Sequence, residues 1–347
     1  MKTVVVDPRT DARWQRLAYR HDSSVFHSPE WLQVLADSYE LEILANILID
    51  EMGEAKAGIP FGRVSDIRGK RLVALPFSDY CDPLVADESY WRCLIDPLLA
   101  EGCPLSLRCL HNHLPMTDER FAEVGRAKWH GLDLRGDKDS LWQGLGGSAR
   151  NKIRKALRNG VGARAARTRE ELRAFFELHL KTRKQKYSLL AQPYRFFENI
   201  WRRFVERGKG LLLLATHQNS IIAGSFFLEW QNKLYYKFNA SSPELTSPGA
   251  NDLLIWEGIV YSIGKGLRHL DFGLSDRDQE GLLRYKRKFA SEEKDISFLK
   301  CDNGTIPTEQ ARQFQELLPK LTELFTDDAV SERVTEKAGE ILYRFFC

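Results

Sequence analysis

Gly210-Leu211-Leu212-Leu213-Leu214-Ala215-Thr216, then His217-Gln218-Asn219, then Ser220-Ile221-Ile222-Ala223-Gly224-Ser225-Phe226-Phe227-Leu228-Glu229-Trp230, is the stretch on which the fold turns. Two apolar runs of strand length flank a link so short that each run must take the other as its antiparallel partner. Residues 233–240 add a third run, so 210–240 reads as a three-strand meander. Upstream, 170–186 carries Leu172, Phe175, Phe176, Leu178 and His179 on or beside one apolar stripe and reads as a helix, and 194–207 reads as another. Downstream, a Ser- and Pro-bearing loop at 241–248 leads into Gly249-Ala250-Asn251 and a helix to about residue 263, and a strand at 267–272 ends at Gly273. A glycine- and charge-bearing segment at 279–290, a strand at 295–300 and helices at 308–325 and 329–346 finish the chain. A meander whose next strand arrives through a helix predicts mixed sheets covered by helices, an α/β (α+β) fold.

The 347 residues exceed one ordinary core and predict two domains. The first half reads as helices at 10–19 and from Ser28-Pro29-Glu30-Trp31, strands at 41–49, 55–61 and 71–75, a helix at 88–100, and strands at 105–110 and 127–132. Ser28 as N-cap with Pro29 in the first turn marks the second helix start. The expected division is a domain at 1–145, which the C-terminal helices of 305–347 can complete, and a domain at 146–304. Hydrophobic content of 43% and charged content of 29% are those of a soluble globular protein, and a net charge of +3 is too small to argue for nucleic acid by itself. Six cysteines without C-x-x-C spacing predict reduced, mostly buried thiols. The run Met1-Lys2-Thr3-Val4-Val5-Val6 breaks too early for a signal peptide, and no run approaches the roughly 20 residues of a membrane span, so a cytoplasmic location is expected.

Against that near-neutral background, 140–169 contains no acidic residue while holding Arg150, Lys152, Arg154, Lys155, Arg158, Arg164, Arg167 and Arg169. Residues 148–160 read as one helix, with Ser148 as N-cap, Gly160 as the left-handed stop, and Ala149, Ile153, Ala156 and Leu157 packing inward. Arg150, Arg154 and Arg158 then stack along one side, where like charges four apart repel by a few tenths of a kcal/mol per pair. Helix propensity does not account for that placement; an anion site does, and a solvated face is the plain alternative.

The order helix, helix, meander, loop, helix, strand is that of the GNAT acyltransferase core, in which strands splay apart and a phosphate-bearing acyl donor sits where the next helix begins. Here that position is Ser247-Pro248-Gly249-Ala250-Asn251, and only Gly249 and Ala250 match a glycine-rich pyrophosphate loop. A wider set of strings resembles the FemAB family of peptidoglycan interpeptide-bridge aminoacyltransferases. The set comprises Ser28-Pro29-Glu30-Trp31-Leu32, Leu75-Pro76-Phe77-Ser78-Asp79-Tyr80, Arg150-Asn151-Lys152-Ile153-Arg154-Lys155-Ala156, Tyr235-Tyr236-Lys237-Phe238-Asn239-Ala240-Ser241, Asn251-Asp252-Leu253-Leu254, Asp271-Phe272-Gly273 and Tyr285-Lys286. The resemblance implies two tandem GNAT-like domains with an acceptor groove between them, and transfer of an aminoacyl or acyl group to an amine of a cell-envelope or saccharide-linked acceptor, in peptidoglycan or exopolysaccharide chemistry.

It also implies roles. Lys286 corresponds to the lysine that approaches the donor ester, and Arg150 and Arg154 to cations holding acceptor phosphate, a task suited to bidentate guanidinium forks. Asp271 is a general base, an orienter, or a turn-capping aspartate; Tyr236, Asn239 and Asn251 line the groove, and Asp79 and Tyr80 reach it from the first half. No bound cofactor is expected: the donor is aminoacyl-tRNA or acyl-CoA, and the segment 170–207 is too short for the helical arm of some tRNA-using members. A lipid-linked acceptor would bring peripheral membrane contact. His111 and His113 stand two apart without companion ligands, so no metal is expected. The rivals are an acyl-CoA-dependent N-acetyltransferase of the same fold and, from another class, a nucleic-acid-binding or scaffold protein using the basic helix.

Overall fold

In the computed structural model, which describes residues 1–242 and 249–347, the N-terminal apolar run is a strand, β1 (Lys2–Val6). Helix α1 (Ala12–Arg20) is capped by Asp11, and α2 (Pro29–Tyr39) by Ser28, whose hydroxyl accepts the Trp31 N–H. Strands β2 (Glu42–Ile49), β3 (Ala55–Asp66) and β4 (Gly69–Val73) form an antiparallel meander beside β1. Helix α3 (Glu88–Leu99) leads to β5 (Leu105–Cys109), which runs parallel to β4 through Leu72↔Leu105 and Val73↔Ser106. Ile59, Phe61, Leu72, Trp91, Leu94 and Leu107 form the core between this sheet and α3. Strand β6 (Ala122–Asp133) carries the chain from this unit into the next, the change falling at Trp129/His130.

The second unit repeats the plan. After α4 (Lys138–Gly144) and α5 (Gly147–Arg158), β7 (Gly162–Ala165) pairs with what becomes the edge of a meander. Helices α6 (Arg169–Lys181) and α7 (Tyr194–Ile200) each run on into a π-turn, Thr182–Lys186 and Trp201–Val205. Strands β8 (Gly210–His217), β9 (Ser220–Trp230) and β10 (Lys233–Ser241) are the antiparallel meander read from sequence. Gln218 and Asn219 both take left-handed φ, 48° and 64°, as a two-residue hairpin matching strand twist requires. Helix α8 (Ala250–Lys265) then leads to β11 (His269–Asp276), parallel to β10, and α9 (Glu280–Lys286) follows. The order β2-β3-β4-α3-β5 thus recurs as β8-β9-β10-α8-β11, two tandem GNAT-like units.

Strand β12 (Glu292–Cys301) returns to pair antiparallel with β5 in the first unit. Helices α10 (Glu309–Thr326) and α11 (Glu332–Leu342) end the chain. The first unit comprises Met1–Trp129, Lys294–Leu318 and Cys347, and the second His130–Glu293 and Pro319–Phe346, so the terminal helices divide between them. Among the described residues no helix is long and apolar enough to cross a membrane.

Local readings are corrected at three places. The N-cap of α5 is Gly146, not Ser148: the Gly146 carbonyl accepts Ala149 and Arg150 N–H, and its own N–H donates to Lys288 O at 2.8 Å, which fixes the entry into the helix. Leu157, expected inside, is 55% exposed, because Ala149, Ile153 and Ala156 alone fill the narrow stripe that faces the core. Strand β11 does not stop at Gly273 but passes through it, with φ of 65° there, so Asp271 lies inside a strand and not at its end.

Candidate active site

Strands β10 and β11 stay in register only over Lys233↔His269, Leu234↔Leu270 and Tyr235↔Asp271. Beyond Tyr235 and Asp271 no further pair forms among the described residues, and the polar residues singled out from sequence sit around that parting. A register shift between Tyr236 and Phe238 sets their directions. A regular strand would put Tyr236 and Asn239, three apart, on opposite faces. The extra residue at Lys237 brings both toward α8. The Asn239 amide donates to Asn251 Oδ1 in the first turn of α8 at 3.2 Å and to Ser225 Oγ at 2.9 Å. The Tyr236 ring packs on Phe227 and Phe272, while Phe238 turns the other way onto His179, Phe196 and Phe197. Burial pushes the Tyr236 phenol up from its usual range, partly offset by its hydrogen bond with Ser225.

Helix α8 begins at Gly249, whose φ of 99° is left-handed and whose Cα lies so close to α5 that a Cβ would stand 2.2 Å from Lys152 O. Only glycine fits there, and the contact joins the second turn of α5 to the start of α8. Ser247 and Pro248, the start of the expected donor loop, lie outside the described residues. Asp252, one residue beyond Asn251, is 3% exposed. Its Oδ1 has no hydrogen-bond partner among the described residues, and Lys288 Nζ stands 3.6 Å away, an ion-pair distance too long for a hydrogen bond. Burial raises the Asp252 pKa, against the pull of Lys288 and Lys152. Lys288 lies over the Tyr285 ring at 4.7 Å, and its own pKa is lowered by burial and by Lys152 despite Asp252. The Tyr285 hydroxyl is also buried and without a partner among the described residues; burial drives its pKa far up, and Tyr236 and Asp252 add to the shift.

On the other side of the parting, Asp271 Oδ1 accepts the Gly273 N–H at 2.6 Å and so orients the kink in β11. Lys286, 3% exposed, donates to Gly273 O at 3.1 Å and Leu274 O at 2.8 Å, so the kink and the lysine are one structure. His130 on β6 flanks it. Its Nε2 meets Glu293 Oε2 at 3.0 Å, and Glu293 also takes Arg287 Nε at 2.7 Å. Burial and the charge of Lys286 lower the His130 pKa against Glu293, so the ring stays neutral.

The basic helix is uneven. Arg150 donates to Gln143 Oε1 at 2.7 Å, and Arg154 stacks over Trp142, itself edge-on to Trp256. Arg164 and Arg169 pair with Glu171 and Glu206, whereas Arg150, Lys152, Arg154, Lys155 and Arg158 make no ion pair among the described residues. In the first unit, Tyr80 is 2% exposed and packs edge-on to Phe26 and His111, and Asp79 beside it is half-buried. Just before them Leu75 and Phe77 take left-handed φ of 55° and 58°, a strained geometry for bulky residues.

The second unit therefore assembles Tyr236, Asn239, Asn251, Asp271 and Lys286 around one strand parting. Asp252, Lys288, Tyr285, His130 and Glu293 join them without having been singled out. Asp252 and Tyr285 stood inside quoted strings, but nothing in a string distinguishes a bare carboxylate from a capped one. His130 and Glu293 lie 163 residues apart in the chain, beyond any local pattern.

Residues 147–287 match the family model of the acetyltransferase (GNAT) domain. Solved structures similar over nearly the whole chain include FemX (13% identity, TM-score 0.65, covering 92% of this chain and 100% of that one). L-PGS from Bacillus licheniformis is similar at 13% identity and TM-score 0.55, covering 90% of this chain and 97% of that one. A tandem GNAT protein from the clavulanic acid biosynthesis pathway is similar at 11% identity and TM-score 0.59, covering 88% and 99%. No curated protein sequence matches the chain.

Proposed function

We propose that this chain, of FemAB-like GNAT fold, is a cytoplasmic acyltransferase that moves an aminoacyl or acyl group to an amine of a cell-envelope or saccharide-linked acceptor. The observation that carries the reading is the parting of β10 from β11 at Tyr235 and Asp271, with polar side chains converging on it from β10, α8 and α9. The amine attacks the donor carbonyl directly, and positioning plus stabilisation of the developing oxyanion lower the barrier. Lys286 supplies the positive charge; buried at the kink, it acts through little solvent screening. Asp271 orients that kink, Tyr236, Asn239 and Asn251 line the substrate path, and Arg150 and Arg154 hold phosphate. Asp79 and Tyr80 are assigned to acceptor recognition by resemblance alone.

Two donors remain in play. Aminoacyl-tRNA follows from the FemAB resemblance, and one of the similar structures bears the name of a putative lysylphosphatidylglycerol synthetase from Agrobacterium fabrum. Acyl-CoA is favoured by the match of residues 147–287 to an acetyltransferase domain. Thermal stabilisation by coenzyme A or by charged tRNA separates them. Replacing one oxyanion donor costs ~10²–10³ in rate, so Lys286→Met should depress kcat by about that factor with KM little changed. Full turnover in that variant would remove Lys286 from the chemistry.

A further inference from the structure

We propose that Asp252 is the proton acceptor for the attacking amine, with the Tyr285 hydroxyl bonded to the same nitrogen. The inference rests on the acyl-transfer reading above and deepens it by naming its base. The two atoms concerned, Asp252 Oδ1 and Tyr285 Oη, are buried without hydrogen-bond partners among the described residues, and both side chains lie against Lys288, whose Nζ stands 3.6 Å from Asp252 Oδ1 and 4.7 Å from the centre of the Tyr285 ring. Leaving such a group unpaired forfeits its hydration with nothing in return. An acid in the first turn of α8 is favoured by the helix dipole. That accounts for an acid at this position but not for burying it bare. A ligand group with two N–H donors satisfies both oxygens, and a primary ammonium does so by donating one N–H to Asp252 Oδ1 and another to Tyr285 Oη.

The other carboxylates at the strand parting are occupied. Asp271 takes the Gly273 N–H, and Glu293 holds His130 and Arg287. Asp252 is faced by Lys288, by Lys152 on α5, by Tyr285 and, through Tyr285, by Tyr236 on β10. The two lysines favour its carboxylate form, and burial raises its affinity for a proton. In the reaction, one proton of the incoming ammonium moves to Asp252 Oδ1. The nitrogen lone pair then forms the C–N bond as the C–O or C–S pair of the donor ester or thioester leaves. A second nitrogen proton neutralises the departing oxygen or sulfur, and Asp252 returns its proton to solvent.

The test uses the full chain with acetyl-CoA and alanyl-tRNA as donors, and Nα-acetyl-lysine or hydroxylamine as nucleophile. Hydroxylamine is already unprotonated at neutral pH and needs no base. Asp252→Asn should lower transfer to Nα-acetyl-lysine by ~10²–10⁴, the range of general-base catalysis, and leave transfer to hydroxylamine within about threefold. Wild-type activity should fall as pH drops through the Asp252 pKa. Lys288→Gln should move that limb to higher pH, because removing the cation raises the carboxyl further. Equal loss with both nucleophiles in Asp252→Asn would overturn the assignment. Independently of turnover, propylammonium should bind the wild type at least tenfold more tightly than Asp252→Asn or Tyr285→Phe. If it binds all three alike the amine site is refuted, whereas selective binding without any transfer leaves the site standing and refutes the acyl-transfer reading.

Discussion

Two buried aspartates divide the molecule. Asp82, in the first unit, and Asp252, in the second, are both pushed up in pKa mainly by burial. Asp82 Oδ1 collects the N–H groups of Leu110, His111 and Asn112 at 2.8, 2.9 and 2.9 Å, tying the loop after β5 to the chain before α3. Asp252 Oδ1 collects none among the described residues. Burial alone therefore says little about role. A buried carboxylate that closes backbone donors belongs to the fold, and one left open beside a second open hydroxyl belongs to a site. The largest expected effect tests this contrast directly. Asp82→Ala strands three backbone donors and should cost roughly 3 kcal/mol at about 1 kcal/mol each, whereas Asp252→Asn should stay within about 1 kcal/mol of wild type. Urea denaturation midpoints of the two variants decide it, and the comparison breaks if Asp252→Asn proves the more destabilised.

His179 sharpens the contrast from a different side. Its Nε2 meets Gln192 Oε1 at 2.8 Å, its Nδ1 is bare, and it lies among Phe175, Phe197 and Phe238. One open atom enclosed by rings makes no site; it makes a pH liability. Burial lowers the His179 pKa to about 3 from an ordinary 6.5. The unfolded chain therefore takes up the proton first, and the stability held above pH 6.5 is lost as pH falls toward 3. Between pH 6.5 and 5 the loss is about 1.6 kcal/mol, the slope approaching about 1.36 kcal/mol per unit once the unfolded imidazole is mostly protonated. His179→Gln, neutral throughout, should lose about that much less over the same interval when both are unfolded in urea. Equal acid slopes would show that the ring is already protonated in the fold.

Much of this architecture was legible because it is periodic. The meander, the apolar stripe of α6 and the Ser28-Pro29 start all write period two, period 3.6 or a cap into adjacent residues. Three features escaped for one shared reason. Strand β7 is a mostly exposed Gly-Ala-Arg-Ala that pairs only because β8 is there. The bulge at Lys237 inserts one residue with no sequence mark, yet it decides that Tyr236 and Asn239 face the same way. And whether Asp252 is capped depends on Lys152 of α5 and Lys288 just after α9, both more than thirty positions off. Residue types at the site were readable; which of their atoms remain open was a property of the assembled fold.

The smallest expected effect marks where openness stops being informative. Arg154 and Arg158 are both exposed and both lack an ion pair among the described residues, but a solvated guanidinium is satisfied by water and its lack of a partner is no cost. What separates them is preorganisation: Arg154 is held over Trp142 at 5.4 Å, beside an Arg150 held by Gln143. Arg154→Ala should therefore raise KM for a phosphate-bearing substrate by about tenfold, equivalent to about 1.4 kcal/mol and at the low end for a charge-assisted bond. Arg158→Ala should leave KM unchanged and stability within about 0.5 kcal/mol. If the two substitutions instead weaken binding equally, and binding falls steeply with salt for both, the face acts as a uniform polyanion surface and the nucleic-acid reading gains what the phosphate anchor loses.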